Sequence, residues 1–204
     1  MDNVDTNDTS SVGMNEYKPA NFADTPLIHF ADTRLTTPPP PFDFEHGGGV
    51  TPKALADGLF KKMLDMGGAG LAANQLGLPY RVFVFGREGE QYNIFNPQVI
   101  GVSSETTLMQ EGCLSFPGFF LTIRRPTEVA AQYQTETGET VVAKFQGIGA
   151  RIFLHEYDHM EGVTFLNYAS KFKIDWELAK INKRVKKQQK QQKLQKRPNA
   201  KRNK

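Results

Sequence analysis

The stretch "RIFLHEYDHMEG" places His155 and His159 four residues apart, with Glu156 directly after the first histidine. On a helix, side chains at that spacing lie one turn apart on a single face, ~5–6 Å between Cβ atoms. Upstream, Ile148 and Ile152 continue the stripe at i, i+4, i+7 and i+11. The pattern predicts a helix from Gly149 to Met160 with both histidines turned inward and Gly162 as its C-terminal stop. Two buried imidazoles need partners, and a pair converging on one point can hold a metal ion. Glu156 lies ~100° around the helix from His155. It can flank an ion without binding it, where a carboxylate takes a proton from water. A chain built on such a helix has to close its core over polar ligands.

The arrangement H-E-x-x-H is usually read as a zinc protease, and the third ligand decides between families. One protease class continues H-x-x-G-x-x-H; here the glycine is present, but Phe165 stands where the third histidine would be, which excludes it. A second class takes a downstream glutamate. Glu177 is the candidate, but it lies at the root of the basic C-terminal segment, outside the compact part of the chain. The other candidate is the single cysteine, Cys113, in "QEGCLSFPG". A lone cysteine is more often a small buried hydrophobe than a ligand. Gly112 before it and Ser115-Phe116-Pro117-Gly118 after it mark an irregular backbone, and a thiolate would supply a soft ligand beside two imidazoles. A third segment, "GGAGLAANQLG" (67–77), sets the amide of Gln75 among small apolar residues, with Gly68 and Gly70 allowing close backbone approach.

Taken together, "GAGLAANQ" (68–75), "EGCLS" (111–115) and "HEYDH" (155–159) resemble the peptide deformylase family, over about residues 22–170. The resemblance implies a hydrolase that removes the N-formyl group from the N-terminal formylmethionine of new polypeptides. Carried over by motif, Cys113, His155 and His159 would hold one divalent ion, with water completing the set. Glu156 would be the general base, and would later deliver the proton to the leaving amine. Gln75 and the backbone N–H of Leu114 would stabilise the oxyanion, and Gly68, Gly70 and Leu71 would line the substrate. Iron, Fe²⁺, is implied by resemblance only; ligand chemistry alone points to Zn²⁺, with Ni²⁺ or Co²⁺ as further alternatives. The chain departs from the family pattern at Leu154, where glutamine is usual, and at Phe119 and Phe120, in a segment where relatives often carry arginine. Arg125 reads either as a partner of Asp158 that orients the helix end or as a surface arginine.

The rest of the chain bounds the setting. Its 204 residues, 39% hydrophobic, suffice for one core. Thr51 and Pro52 read as the start of a helix through Leu55, Leu59 and Met63, ended by Gly67-Gly68. Strand-like runs cover 81–86, 91–96 and 97–103, and a hairpin turns at Glu136-Thr137-Gly138. The fold class expected is α+β: short, mostly antiparallel strands around a central metal-binding helix, plus a basic C-terminal helix and tail. Residues 1–20 read as a disordered leader, 21–170 as one catalytic domain, and 171–204 as a basic helix and low-complexity tail. That last segment holds 14 of the 25 Lys and Arg residues against Asp175 and Glu177 only, net +12, and leaves the remainder at −9. Its helix is expected to dock through Ile174, Leu178, Ile181 and Val185. Such a segment attracts phosphate-rich surfaces; ribosome contact and a disordered extension are the two readings. One cysteine forms no internal disulfide, and no apolar run suits a signal peptide or membrane span. The expectation is a monomer in the cytoplasm, or in the host cytoplasm were the chain virus-encoded.

Overall fold

The structure, a computed structural model, describes residues 20–46 and 49–195. The expected leader, except for Ala20, and the tail beyond Gln195 lie outside the described residues.

The first helix, α1 (Pro52–Asp65), starts where Thr51 caps it: its hydroxyl accepts the Ala54 N–H at 3.2 Å, with Pro52 at the first position. A cap of this kind contributes roughly 1 kcal/mol. Then follow β1 (Gly70–Ala72), β2 (Val82–Arg87), β3 (Glu90–Val102), β4 (Thr106–Gly112), β5 (Phe120–Pro126), β6 (Glu128–Gln134), β7 (Thr140–Gln146), α2 (Gly147–Met160) and α3 (Lys171–Gln195). Five strands form one antiparallel sheet in the order β1-β2-β3-β6-β7, and β4 and β5 form a separate two-stranded ribbon.

The continuous apolar run of β2 explains the layering. A strand alternates its side chains between two faces, so "VFVF" must be covered on both. Val82 and Val84 face Leu55, Leu59 and Met63 of α1. Phe83 and Phe85 face Ala150, Phe153 and Leu154 of α2. A third cluster joins the ribbon to the C-terminal region: Phe116, Phe119, Leu121, Ile123 and Phe165, with Ile174 and Ile181 of α3 packed against it. The ribbon and the sheet edge thus close around α2, the central helix expected from the sequence.

Three expectations change. The runs 91–96 and 97–103 are one strand, β3, with register shifts at Phe95/Gln98 and Val99/Gly101. Asn96 makes the first possible by adopting φ +48°, its amide bonded to the Phe42 backbone at both ends (2.6 and 2.9 Å). Asparagine tolerates that left-handed conformation better than most residues. Ile148 does not continue the inward stripe: it is 60% exposed, because the α2 face that buries the histidines opens into a cleft at its N-terminal end. Helix α3 begins at Lys171 and runs to Gln195; Leu178 is exposed, and the side chain of Val185 is not described.

Candidate metal centre

Helix α2 presents His155 and His159 inward, and Cys113 follows directly after β4, where the ribbon strand ends against the helix. Their ligand atoms all lie within 4.8 Å of one another. Cys113 Sγ is 3.4 Å from His159 Nε2. An ion bound tetrahedrally with metal–sulfur distances near ~2.3 Å and metal–nitrogen near ~2.05 Å holds S and N about 3.5 Å apart. The two side chains therefore already stand at the separation one shared ion requires.

The orientation of His155 is fixed from behind. Its Nδ1 meets Glu111 Oε2 at 3.0 Å, which leaves Nε2 for the side facing Cys113. Glu111 is itself held by two buried guanidiniums. Arg125 donates to both carboxylate oxygens (2.7 and 3.0 Å), and Arg151 donates Nη1 to Oε1 at 2.6 Å. Burial works to raise the Glu111 carboxyl, but the hydrogen bonds and charges of His155 and Arg125 outweigh it and hold it down to about 2. Burial likewise opposes the imidazolium of His155, and the hydrogen bonds it donates to Cys113 and Glu111 overcome it, raising His155 to about 10. His159 has no carboxylate beside it; burial, with the charges of His155 and Arg125, pushes it down to about 3. An imidazolium cannot ligate, so the neutral form of His155 is the one that would hold an ion.

Arg125 also donates Nη1 to Asp158 Oδ2 at 2.8 Å and lies over the Tyr168 ring, 4.6 Å from its centroid. Of the two readings of Arg125, the pairing with Asp158 is the one observed. The C-terminal end of α2 is tied further by Arg81, whose Nη1 donates to Met160 O at 2.7 Å, and by Asn74, whose amide donates to His159 O at 2.9 Å.

Glu156 lies buried beneath β1. A Cβ on Gly70 would fall on the Glu156 carboxylate, 2.8 Å from its carboxyl carbon. Gly70 therefore leaves room for the acid, and Gly68 does the same for Leu114, whose Cδ1 would stand 2.8 Å from an added Cβ. Glu156 Oε2 is buried with no hydrogen-bond partner, and burial raises its carboxyl to about 7. A carboxyl in that state exchanges protons readily near neutrality.

Gln75 has only one available orientation. Its Oε1 accepts the Ala72 N–H at 2.9 Å, so its NH₂ has to point the other way, toward Cys113 Sγ (3.3 Å) and Ser115 Oγ (3.2 Å). Leu114 and Gln75 both line a cleft of about 580 Å³, together with Gly68, Gly70, Cys113, His155 and Glu156. Leu71 is fully buried against α1 and does not line that cleft. Leu154, the departure before His155, packs in the core of the sheet face.

The structure thus brings Gln75, Cys113, His155, Glu156 and His159 to one place, and sets Phe165 in the core and Glu177 against Lys180, away from it. Two residues near the ligands had no role in the sequence reading, Glu111 and Arg151. Arg151 precedes His155 by four positions on the same helix face, a signal the sequence does contain.

The polypeptide deformylase family model matches residues 26–175 of this chain. The chain belongs to the peptide deformylase family. A curated peptide deformylase of Caulobacter vibrioides is 39% identical over 137 residues, 64% of this chain and 79% of that one. Among solved structures, the peptide deformylase of Thermus thermophilus matches with TM-score 0.69 and 30% identity, covering 81% of this chain and 98% of that one. A class I type b peptide deformylase of Acinetobacter baumannii, solved bound to Met-Ala-Ser, matches with TM-score 0.66 and 30% identity over 71% of this chain and 97% of its own. As a peptide deformylase, the chain is a metal-dependent hydrolase that removes the N-formyl group from newly synthesised polypeptides. Among the described residues, no helix is long and apolar enough to cross a membrane.

Proposed function

We propose that Cys113, His155 and His159 hold the catalytic divalent ion of this deformylase and that Glu156 is its general base. The observation that carries the assignment is the convergence of one sulfur and two imidazoles beside a buried carboxylate that lacks a hydrogen-bond partner. When bound, the ion supplies Lewis-acid activation of water and of the formyl oxygen. Fe²⁺ is the native ion by family resemblance, and the same donors accept Zn²⁺, Ni²⁺ or Co²⁺.

The chain's own groups account for the rest. Gln75, held by the Ala72 N–H, donates its NH₂ to the developing oxyanion, and the Leu114 N–H is the second donor. Glu156 accepts a proton as water attacks the formyl carbon and passes it to the nitrogen of the departing methionine. The substrate enters along the free edge of β1. Ala69 O accepts the Gly86 N–H, so the trans peptide turns the Gly70 N–H away from β2, toward the cleft side. An extended peptide pairs there as an added strand. Leu71 supports this edge from the core instead of touching substrate, a change from the expected role. The Met-Ala-Ser bound to the Acinetobacter baumannii enzyme has the composition of a deformylated nascent terminus, which fits this mode.

The catalytic unit spans residues 21–170 of a monomeric, cytoplasmic enzyme, and the basic segment 171–204 contacts the ribosome. Formate release from formyl-Met-Ala-Ser by the Fe²⁺- or Co²⁺-loaded protein tests the activity. Release of formate with the Met–Ala bond intact supports it; cleavage at Met–Ala without formate overturns it.

A further inference from the structure

The walls of the cleft divide sharply by charge. Its acidic and basic lining residues Glu111, Arg151, His155 and Glu156 are all buried, Cys113 is half-buried, and every exposed lining residue is uncharged. At the mouth stand exposed Met66, Phe120 and Ile148. Phe120 has the most defined position of the three. It is the first residue of β5 and pairs with Gly112 of β4, the residue directly before Cys113. Its ring lies over the Gly112 backbone, where an added Cβ would meet Phe120 Cε1 at 2.6 Å. A glycine at 112 thus lets the ring lie against the chain one residue from Cys113, while 49% of Phe120 stays open to solvent.

We infer that Phe120 is a specificity determinant that reads the side chain following the formylmethionine, favouring an apolar residue at that second position. The inference rests on the deformylase reading of the cleft. A formyl carbon placed beside Cys113 and Glu156 leaves the peptide running outward, with successive residues advancing ~3.4 Å and side chains alternating in direction. The α2 wall, with Ile152 and Ile148 leading away from His155, offers the first side chain an apolar surface. The second side chain then turns to the other wall, the ribbon, where the exposed Phe120 ring lies over Gly112, the residue before Cys113. With no exposed charge lining the mouth, Lys or Glu at this position loses hydration and finds no ion-pair partner.

The test is kcat/KM for formyl-Met-Xaa-Ser with Xaa = Leu, Phe, Ala, Lys and Glu, in wild type and in Phe120→Ala, Phe120→Leu and Phe120→Arg. The expected wild-type preference for Leu and Phe over Lys and Glu is on the order of tenfold, the size of one apolar side chain partly buried on a ring. Phe120→Ala compresses that ratio to about twofold, Phe120→Leu retains most of it, and Phe120→Arg raises Glu relative to Lys. Ratios are taken within each variant, so a general loss of activity does not enter. A flat wild-type profile, or one unchanged in Phe120→Ala, overturns the inference. Failure of the wild type on every formyl peptide would instead count against the assignment of the cleft.

Discussion

Glu111 joins more charges than any other residue near the candidate centre, and its electrostatics make a measurable claim. Its carboxyl is held at about 2, below the ordinary value of 4.5, so the stabilisation it provides is fully present above 4.5 and is lost as pH falls through about 2. The difference corresponds to roughly 3 kcal/mol at ~1.4 kcal/mol per pKa unit. In Glu111→Gln this dependence disappears, while overall stability drops because Arg151 loses its buried carboxylate partner and Arg125 keeps only Asp158. Urea unfolding of the ion-free proteins between pH 6 and 3 measures both. A wild-type slope with pH equal to that of the variant would remove Glu111 as the anchor of His155. The candidate Cys-His-His cluster was legible in the sequence because the histidine spacing encodes helical geometry and the motif context of Cys113 is specific. Glu111 and Arg151 were less so, since what makes them matter is burial and a shared partner from two different elements.

At the scale of elements, the decisive contact is β1 lying over α2. Gly70→Ala places a methyl group on the Glu156 carboxylate, so the strand or the acid has to shift. The expected outcome is a loss of roughly 1–3 kcal/mol in stability and at least ~10²-fold in kcat, with the ion retained, read by calorimetry, turnover and metal content. Wild-type turnover in Gly70→Ala would show that the close approach of strand and acid is not needed. The glycines of "GAGLAANQ" signalled a close backbone approach, but not that Glu156 is the group approached. The same limit applies to β4 and β5: "TTLMQEG" exposes most of its side chains and has no clear alternation, so its pairing with β5 comes from the ribbon closing over α2. Helix α1 and the β6–β7 hairpin were readable for the opposite reason, because a Thr-Pro cap and a Gly turn are local signals. The inward stripe of α2 was legible at His155 and His159 and failed at Ile148, since helical spacing gives the face but not where a cleft interrupts its cover.

Over the whole molecule, charge is segregated. The acidic body carries α3, anchored by Ile174 and Ile181 on the third core cluster, and residues 186–204 hold nine Lys and Arg residues and no acid. Truncation after Val185 therefore leaves the docked turns in place and removes most of the field that attracts phosphate. Co-sedimentation with ribosomes at increasing salt should show steep salt dependence for the full chain and little binding for the truncated one. Equal binding by both would place the contact elsewhere. The Cys-His-His centre, with Glu156 beside it, adjoins that same third core cluster, against which Cys113 also packs. It is tested most directly by metal content and deformylation of formyl-Met-Ala-Ser measured together in wild type and Glu156→Ala. A Cys-His-His centre with Glu156 as its base gives one ion per chain in both proteins and turnover reduced at least ~10²-fold in the variant. Turnover near wild type in Glu156→Ala, with the ion bound, would contradict it.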